Sequence, residues 1–218
     1  MENMKFYLIE KESLVYIDTH KHNKPIDIEY SIWDKDELDP AINFESSQFL
    51  LRAYAGAGKK QWQFIQSIKF LTGFCVNDEV KQLLSDFTLT THEYHIMPCE
   101  FRGESLTYWW FRLHAQPLQH LIDVSRCVFY NNYNEPENLF KAPFDAYLKE
   151  TYPMQAIMRG LDCWVKEIYV SKEIAQYDFF SLSHFPAVCL VSERLKEAMD
   201  KRKFKGVKFT EATWLKFF

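Results

Sequence analysis

His92 and His95 flank Glu93 and Tyr94. On a helix, an HxxH spacing sets two imidazoles on one face, where they can hold a metal. This segment alternates like a strand, and there positions i and i+3 point to opposite faces. Two structural histidines are the simpler account, and no metal or other cofactor is expected. Ala53 to Lys60, AYAGAGKK, has the outline of a phosphate loop but fails in two places. Ala53 stands where the first glycine belongs, and Lys60 stands where a magnesium-binding Ser or Thr belongs. A surface turn is expected instead. The five cysteines, Cys75, Cys99, Cys127, Cys163 and Cys189, include no CxxC pair. A cysteine nucleophile needs a histidine beside it, and nothing along the chain selects a pair. Ser125 and Ser192 lack the glycines of a nucleophile elbow. Asp123 and Asp162 lie in apolar runs and read as strand-edge or capping residues. No catalytic signature emerges, so the chain is expected not to be an enzyme.

Partner binding offers more. Asp34, Asp36, Glu37 and Asp39 cluster beside Trp33 in a polar segment, residues 20–43, that reads as a surface loop. Acidic side chains around an aromatic anchor can attract and hold a basic protein. Trp109 and Trp110, in LTYWWFRL, are read as further exposed aromatics at such a contact. The net charge of −4 gives no support for nucleic-acid binding. An odd number of scattered cysteines suits a reducing cytoplasm. No apolar run approaches the roughly 20 residues needed to cross a bilayer, so no membrane partner is expected. The opening MENMKFYLIEKESL is broken by Glu10 and Lys11 and does not read as a signal peptide.

The elements that would position these residues follow from periodicity. Ala187 to Phe209 reads as a strand, a helix capped by Ser192, a glycine break at Gly206 and a second strand. Leu195, Ala198 and Met199 make the apolar stripe, and Lys196, Glu197, Asp200 and Lys201 face away. A fainter copy runs from Phe74 to Met97, with Asn77 as the cap and Val80, Leu83 and Leu84 as the stripe. Met4–Ile9 and Val15–Ile17 read as a first strand pair. Residues 60–70 are strand or short helix, 106–113 a strand, 121–130 another, and 131–148 a connection. Residues 161–170 are a strand, and 174–182 a helical turn followed by a strand. Strands outnumber helices without regular alternation, which gives an α+β fold. The expected fold is a mostly antiparallel sheet with two similar strand–helix–strand units packed together. Residues 1–73 form an N-terminal strand and loop region, and 74–218 the main α+β region, in one continuous unit.

The segment Val191, Ser192, Glu193, Leu195, Lys196, Ala198, then Gly206, Val207, Phe209, resembles the closing signature of a bacterial immunity-protein family. It is the family numbered eleven among those of polymorphic and contact-dependent toxin systems. WWFRLHAQPLQHLIDVSRCVF and LDCWVKEIYVSKEIAQYDFFSL resemble its upstream strands, so that the likeness spans roughly residues 75–210. The resemblance implies a cytoplasmic protein that binds and neutralises a cognate toxin, with no catalytic residues to carry over. Two alternatives stay open: a metal- or cysteine-dependent hydrolase using His92, His95 or a cysteine, and an adaptor of a secretion system.

Overall fold

Two small polar residues set where the helices begin. Asn77 Oδ1 accepts the Val80 N–H at 3.1 Å, and Ser192 Oγ accepts the Leu195 N–H at 3.2 Å. Each satisfies an amide that the first helical turn leaves without a partner. Asp78 and Glu79, or Glu193, follow at the positive end of the helix dipole. The helices are α1 (Asp78–Leu84) and α2 (Glu193–Lys201). The computed structural model describes residues 4–11, 16–21, 24–25, 50–53, 63–67, 73–101, 104–113, 116–130, 139–141, 164–182 and 189–218.

In chain order the strands are β1 (Phe6–Lys11), β2 (Tyr16–Lys21), β3 (Lys24–Pro25), β4 (Leu50–Ala53), β5 (Phe64–Ser67), β6 (Phe74–Val76), β7 (His92–Phe101), β8 (Glu104–Leu113), β9 (Val128–Tyr130), β10 (Leu139–Lys141), β11 (Trp164–Val170), β12 (Phe179–Ser181), β13 (Cys189–Ser192), β14 (Val207–Glu211) and β15 (Leu215–Phe217). One sheet runs β12-β13-β1-β14 and another β10-β9-β11-β15. The third runs β3-β2-β4-β7-β8-β6-β5, and β5 pairs back onto β2, so six of its strands close into a circuit. Most pairings are antiparallel, and the fold is α+β.

The two strand–helix–strand units are present, and each is split. β13 and β14 both run antiparallel to β1, which lies between them. β6 and β7 likewise both run antiparallel to β8. Each helix thus crosses over an inserted strand: β8, the next strand in the chain, for α1, and the distant β1 for α2. The registers agree residue by residue. Phe64 pairs with Val76 and Val76 with Trp109; Phe179 pairs with Val191 and Val191 with Tyr7. On the returning strands, Tyr94 pairs with Phe111 and Phe209 with Ile9. The described residues between 64 and 96 therefore match those between 179 and 211 at one constant spacing along the chain, further than periodicity alone suggests.

The units hold each other reciprocally. Gln63 and Asp178 occupy equivalent places, just before Phe64 and Phe179. Their carbonyls accept the N–H groups of the two cap residues, Asn77 at 3.0 Å and Ser192 at 2.8 Å. Their side chains reach into the other unit: Gln63 Oε1 accepts the Lys205 N–H at 3.0 Å, and Asp178 Oδ2 accepts the Thr88 N–H at 2.9 Å. Phe64 N–H also donates to Lys205 O, and Thr90 N–H to Phe179 O. Such mutual contacts are the pattern of an isologous interface between two copies. Val76, Val80, Leu83 and Leu84 of one unit share a core with Val191, Leu195 and Met199 of the other. Burying side chains of this size stabilises the seam by about 1.5–3 kcal/mol each. The opposite face of β12-β13-β1 supplies Phe6, Phe180 and Leu190 to a second core with Ile168, Val170 and Leu215.

Several expectations need correction. β1 and β2 are strands but lie in different sheets, so they are not a pair. The expected strand at 121–130 is mostly 3-10 turn, Gln116–Leu121 and Val124–Arg126, and only Val128–Tyr130 is strand. Asp123 accounts for part of this: its carbonyl accepts the Arg126 N–H and its carboxylate the Ser125 hydroxyl, which closes a turn. The chain leaves α2 through Lys203, just past the Arg202 cap, not through Gly206. Lys203 takes φ 57°, and the Lys203 and Phe204 N–H groups bond back to Asp200 and Met199 carbonyls in a Schellman motif. Lys196 does not face away but lies over Tyr7 and Phe209. Strand assignments at Phe64–Ser67, Glu104–Leu113, Trp164–Val170 and Phe179–Ser181 agree with the sequence reading. Apart from Ala53, the AYAGAGKK segment lies outside the described residues, as do Cys163, Asp162, His114 and His184.

Candidate partner-binding surface

β7 and β8 form a long two-stranded ribbon whose two faces have different fates. On one face Tyr94, Phe111 and Leu113 pack beneath α1, as the alternation of buried and exposed positions requires. α1 is too short to cover the whole ribbon. Beyond its N-terminus the same face carries half-buried Trp109 opposite Ile96, then Pro98 and Thr107, both exposed. Ile96 is 49% exposed. Lys81 lies 3.1 Å from the centre of the Trp109 ring, and the Trp109 Nε1–H donates to Asp78 Oδ1 at 2.5 Å. Lys81 also approaches Tyr94, whose hydroxyl burial pushes up to about 12.

The other face turns into the closed circuit. Cys75, Met97, Cys99, Tyr108 and Trp110 are buried there. Burial raises the Tyr108 hydroxyl well above its ordinary range, and the neighbouring Cys99 and Cys75 thiols add to the rise. Toward one end the same face becomes polar. Glu93 stands opposite Arg112 and His95 opposite Trp110. His95 Nε2 lies 3.1 Å from Glu93 Oε2, and Arg112 lies 3.6 Å from Glu93 Oε1.

A third polar group fastens the two units. Asp178, 6% exposed, accepts from Ser192 Oγ at 2.7 Å, from the Thr88 N–H and from both Nε and an Nη of Arg194. Burial pushes the Asp178 carboxyl up, but the bonds from Arg194, Ser192 and Thr88 outweigh it and hold the pKa below the ordinary carboxylate range.

The sequence-predicted contact residues fare differently. Trp33, Asp34, Asp36, Glu37 and Asp39 lie outside the described residues. Trp110 is not exposed: it is buried inside the circuit, with Gly73 packed near its Nε1. Trp109 stays partly accessible but is clamped by its own helix. His92 and His95 fall on opposite faces, as strand alternation dictates. The His92 ring packs against Tyr94 and Phe111, and the His95 ring against Trp110. Among the described residues, no three His, Cys, Asp or Glu side chains converge as a metal-ligand set. Sequence reasoning passed over Ile96, whose exposure depends on where α1 stops. It also passed over Asp178, a lone acid in an otherwise apolar YDFF.

These features define an α+β protein made of two reciprocally packed split β–α–β units. No family model and no curated protein matches the chain. No helix among the described residues is long and apolar enough to cross a membrane.

Proposed function

We propose that the chain is a stoichiometric binder, an immunity protein that neutralises a cognate bacterial toxin in the cytoplasm without catalysis of its own. The observation that carries the binding role is Ile96. It is a large aliphatic side chain left half in water on the β7–β8 ribbon, opposite the Trp109 ring and close to exposed Pro98 and Thr107. Such a surface suits a protein contact with a small apolar centre. The toxin as partner rests on the resemblance of the Val191–Phe209 segment. Cys75, Cys99, Cys127 and Cys189, buried as thiols, are in keeping with a reducing compartment. The test is co-expression with the polypeptide encoded beside this chain's gene. A complex that co-purifies and relieved toxicity support the proposal; free components with undiminished toxicity end it.

One arrangement favours the enzymatic alternative. Glu93 orients His95 as a carboxylate orients a general base, with Arg112 beside both. If His95→Ala abolished the relief of toxicity while leaving the complex intact, that reading would replace simple occlusion.

A further inference from the structure

The two units are matched closely enough that one serves as a scaffold control for the other. Asn77 corresponds to Ser192, Asp78 to Glu193, Lys81 to Lys196, Tyr94 to Phe209 and Trp109 to Tyr7. Their contacts correspond as well. Lys196 lies 5.1 Å from the Tyr7 ring centre and 6.0 Å from that of Phe209, as Lys81 lies over Trp109 and Tyr94. The Tyr7 hydroxyl donates to Glu193 at 3.4 Å, as Trp109 donates to Asp78. The lysine, the aromatic pair and the acid are thus common to both units and belong to the scaffold.

Two of the differences flank Trp109. Ile96 corresponds to Glu211, which is exposed, as a residue at a sheet surface ordinarily is. The fold therefore does not need an aliphatic side chain there. Glu79 corresponds to Arg194. In the second unit Arg194 is paired with Asp178, and Glu193 meets Lys5 at 3.9 Å. In the first unit, Asp78 and Glu79 have no cationic partner among the described residues, and Glu79 is exposed. One unit thus ends in an ordinary charged surface. The other carries an apolar side chain next to Trp109, with Asp78 at the ring's Nε1 and exposed Glu79 following it in the chain. Phe218, the other large exposed apolar side chain among the described residues, has the Arg126 guanidinium 5.6 Å from its ring and offers no such contrast.

Resting on the proposed binding role, we infer that the row Ile96–Trp109–Asp78/Glu79 is the docking surface. Its occupant is a protein that presents an apolar side chain with a lysine or arginine beside it. The apolar group covers Ile96 and Pro98, and the cation answers Asp78 and Glu79. Opposite charge across the contact supplies orientation and a salt-dependent association rate.

The decisive experiment gives the first unit the second unit's residues. Ile96→Glu and Glu79→Arg introduce side chains that the twin already carries at these positions, so folding should survive. The probe is the polypeptide encoded beside this chain's gene, measured by calorimetry against the full-length chain. Ile96→Glu should weaken binding by about 30-fold or more, the size of a central contact residue. Glu79→Arg should mainly slow association and flatten its dependence on salt. Ile96→Ala, a milder change, should cost roughly tenfold, and Glu211→Ile in the twin should change nothing. Far-ultraviolet circular dichroism melts confirm that each variant is folded. Wild-type affinity retained within about threefold by folded Ile96→Glu would overturn this surface and leave the binding role standing. Failure of the wild-type chain itself to bind would overturn both.

Discussion

Replacing Asp178 with alanine should separate the two units more than any other single polar change. The side chain accepts from Ser192 Oγ, the Thr88 N–H and Arg194, so it ties β12, the start of α2 and the loop leaving α1. Arg194 is 65% exposed, so water replaces most of what it loses; that pair contributes at most about 1 kcal/mol. The bonds from Ser192 and Thr88 end on a carboxylate at the buried seam, where charge-assisted bonds are worth about 1.5 kcal/mol or more each. Asp178→Ala should therefore cost about 3–4 kcal/mol. Gln63 is the internal control. From the matching position it makes a single cross-unit bond with a neutral amide, to the Lys205 N–H, so Gln63→Ala should cost only about 1 kcal/mol. Urea unfolding at neutral pH, read as a shift in midpoint at constant slope, measures both. Acid adds a second check. The Asp178 pKa is depressed in the folded state, so its contribution is full above the unfolded-state value of about 4. It is lost as pH falls through the folded-state value. The gap between wild type and Asp178→Asn should accordingly be flat near neutrality and narrow below about pH 4. An Asp178→Ala cost no larger than that of Gln63→Ala, or a gap that widens in acid, would refute the reasoning.

Gly206→Ala should destabilise by more than about 2 kcal/mol: φ is +98°, and a new Cβ would lie 1.9 Å from the Phe64 carbonyl oxygen. Thermal melts would show it as a large fall in Tm, and an unchanged Tm would mean the close approach to Phe64 is not there. Lys203→Gly should do the reverse and stabilise by about 1 kcal/mol, since a side chain at φ 57° is strained; a loss of stability would move the helix terminus elsewhere. Leu84→Ala and Met199→Ala, at equivalent places in one shared core, should each cost about 2–5 kcal/mol in urea unfolding. A marked inequality, with one of them near zero, would show that the two helices do not share a core.

What could be read from the residues alone was local. Caps at Asn77 and Ser192, stripes at Val80, Leu83, Leu84 and Leu195, and strand alternation from His92 all lie within a few turns of chain, and each has a physical cause at that range. Neighbour relations do not. β1 enters between β13 and β14 across nearly the whole length of the chain, and a strand that is apolar on both faces carries no mark of which face meets what. That is why Trp109 and Trp110 looked alike, although one sits half-buried beside the first turn of α1 and the other inside the closed circuit. Gly206 misled for a related reason: its left-handed conformation serves the approach of Phe64 from the other unit, not the exit from α2. The duplication itself was half visible. Among the matched described positions, Phe64 and Phe179, Val76 and Val191, and Lys81 and Lys196 are identical, while most of the rest keep only their character. Two units that hold each other reciprocally must both preserve the residues at the seam, but their outer faces are free to diverge. The divergence at Ile96 and Glu79 therefore says more about function than the likeness around it, because the scaffold requirement is already met, by different residues, in the twin.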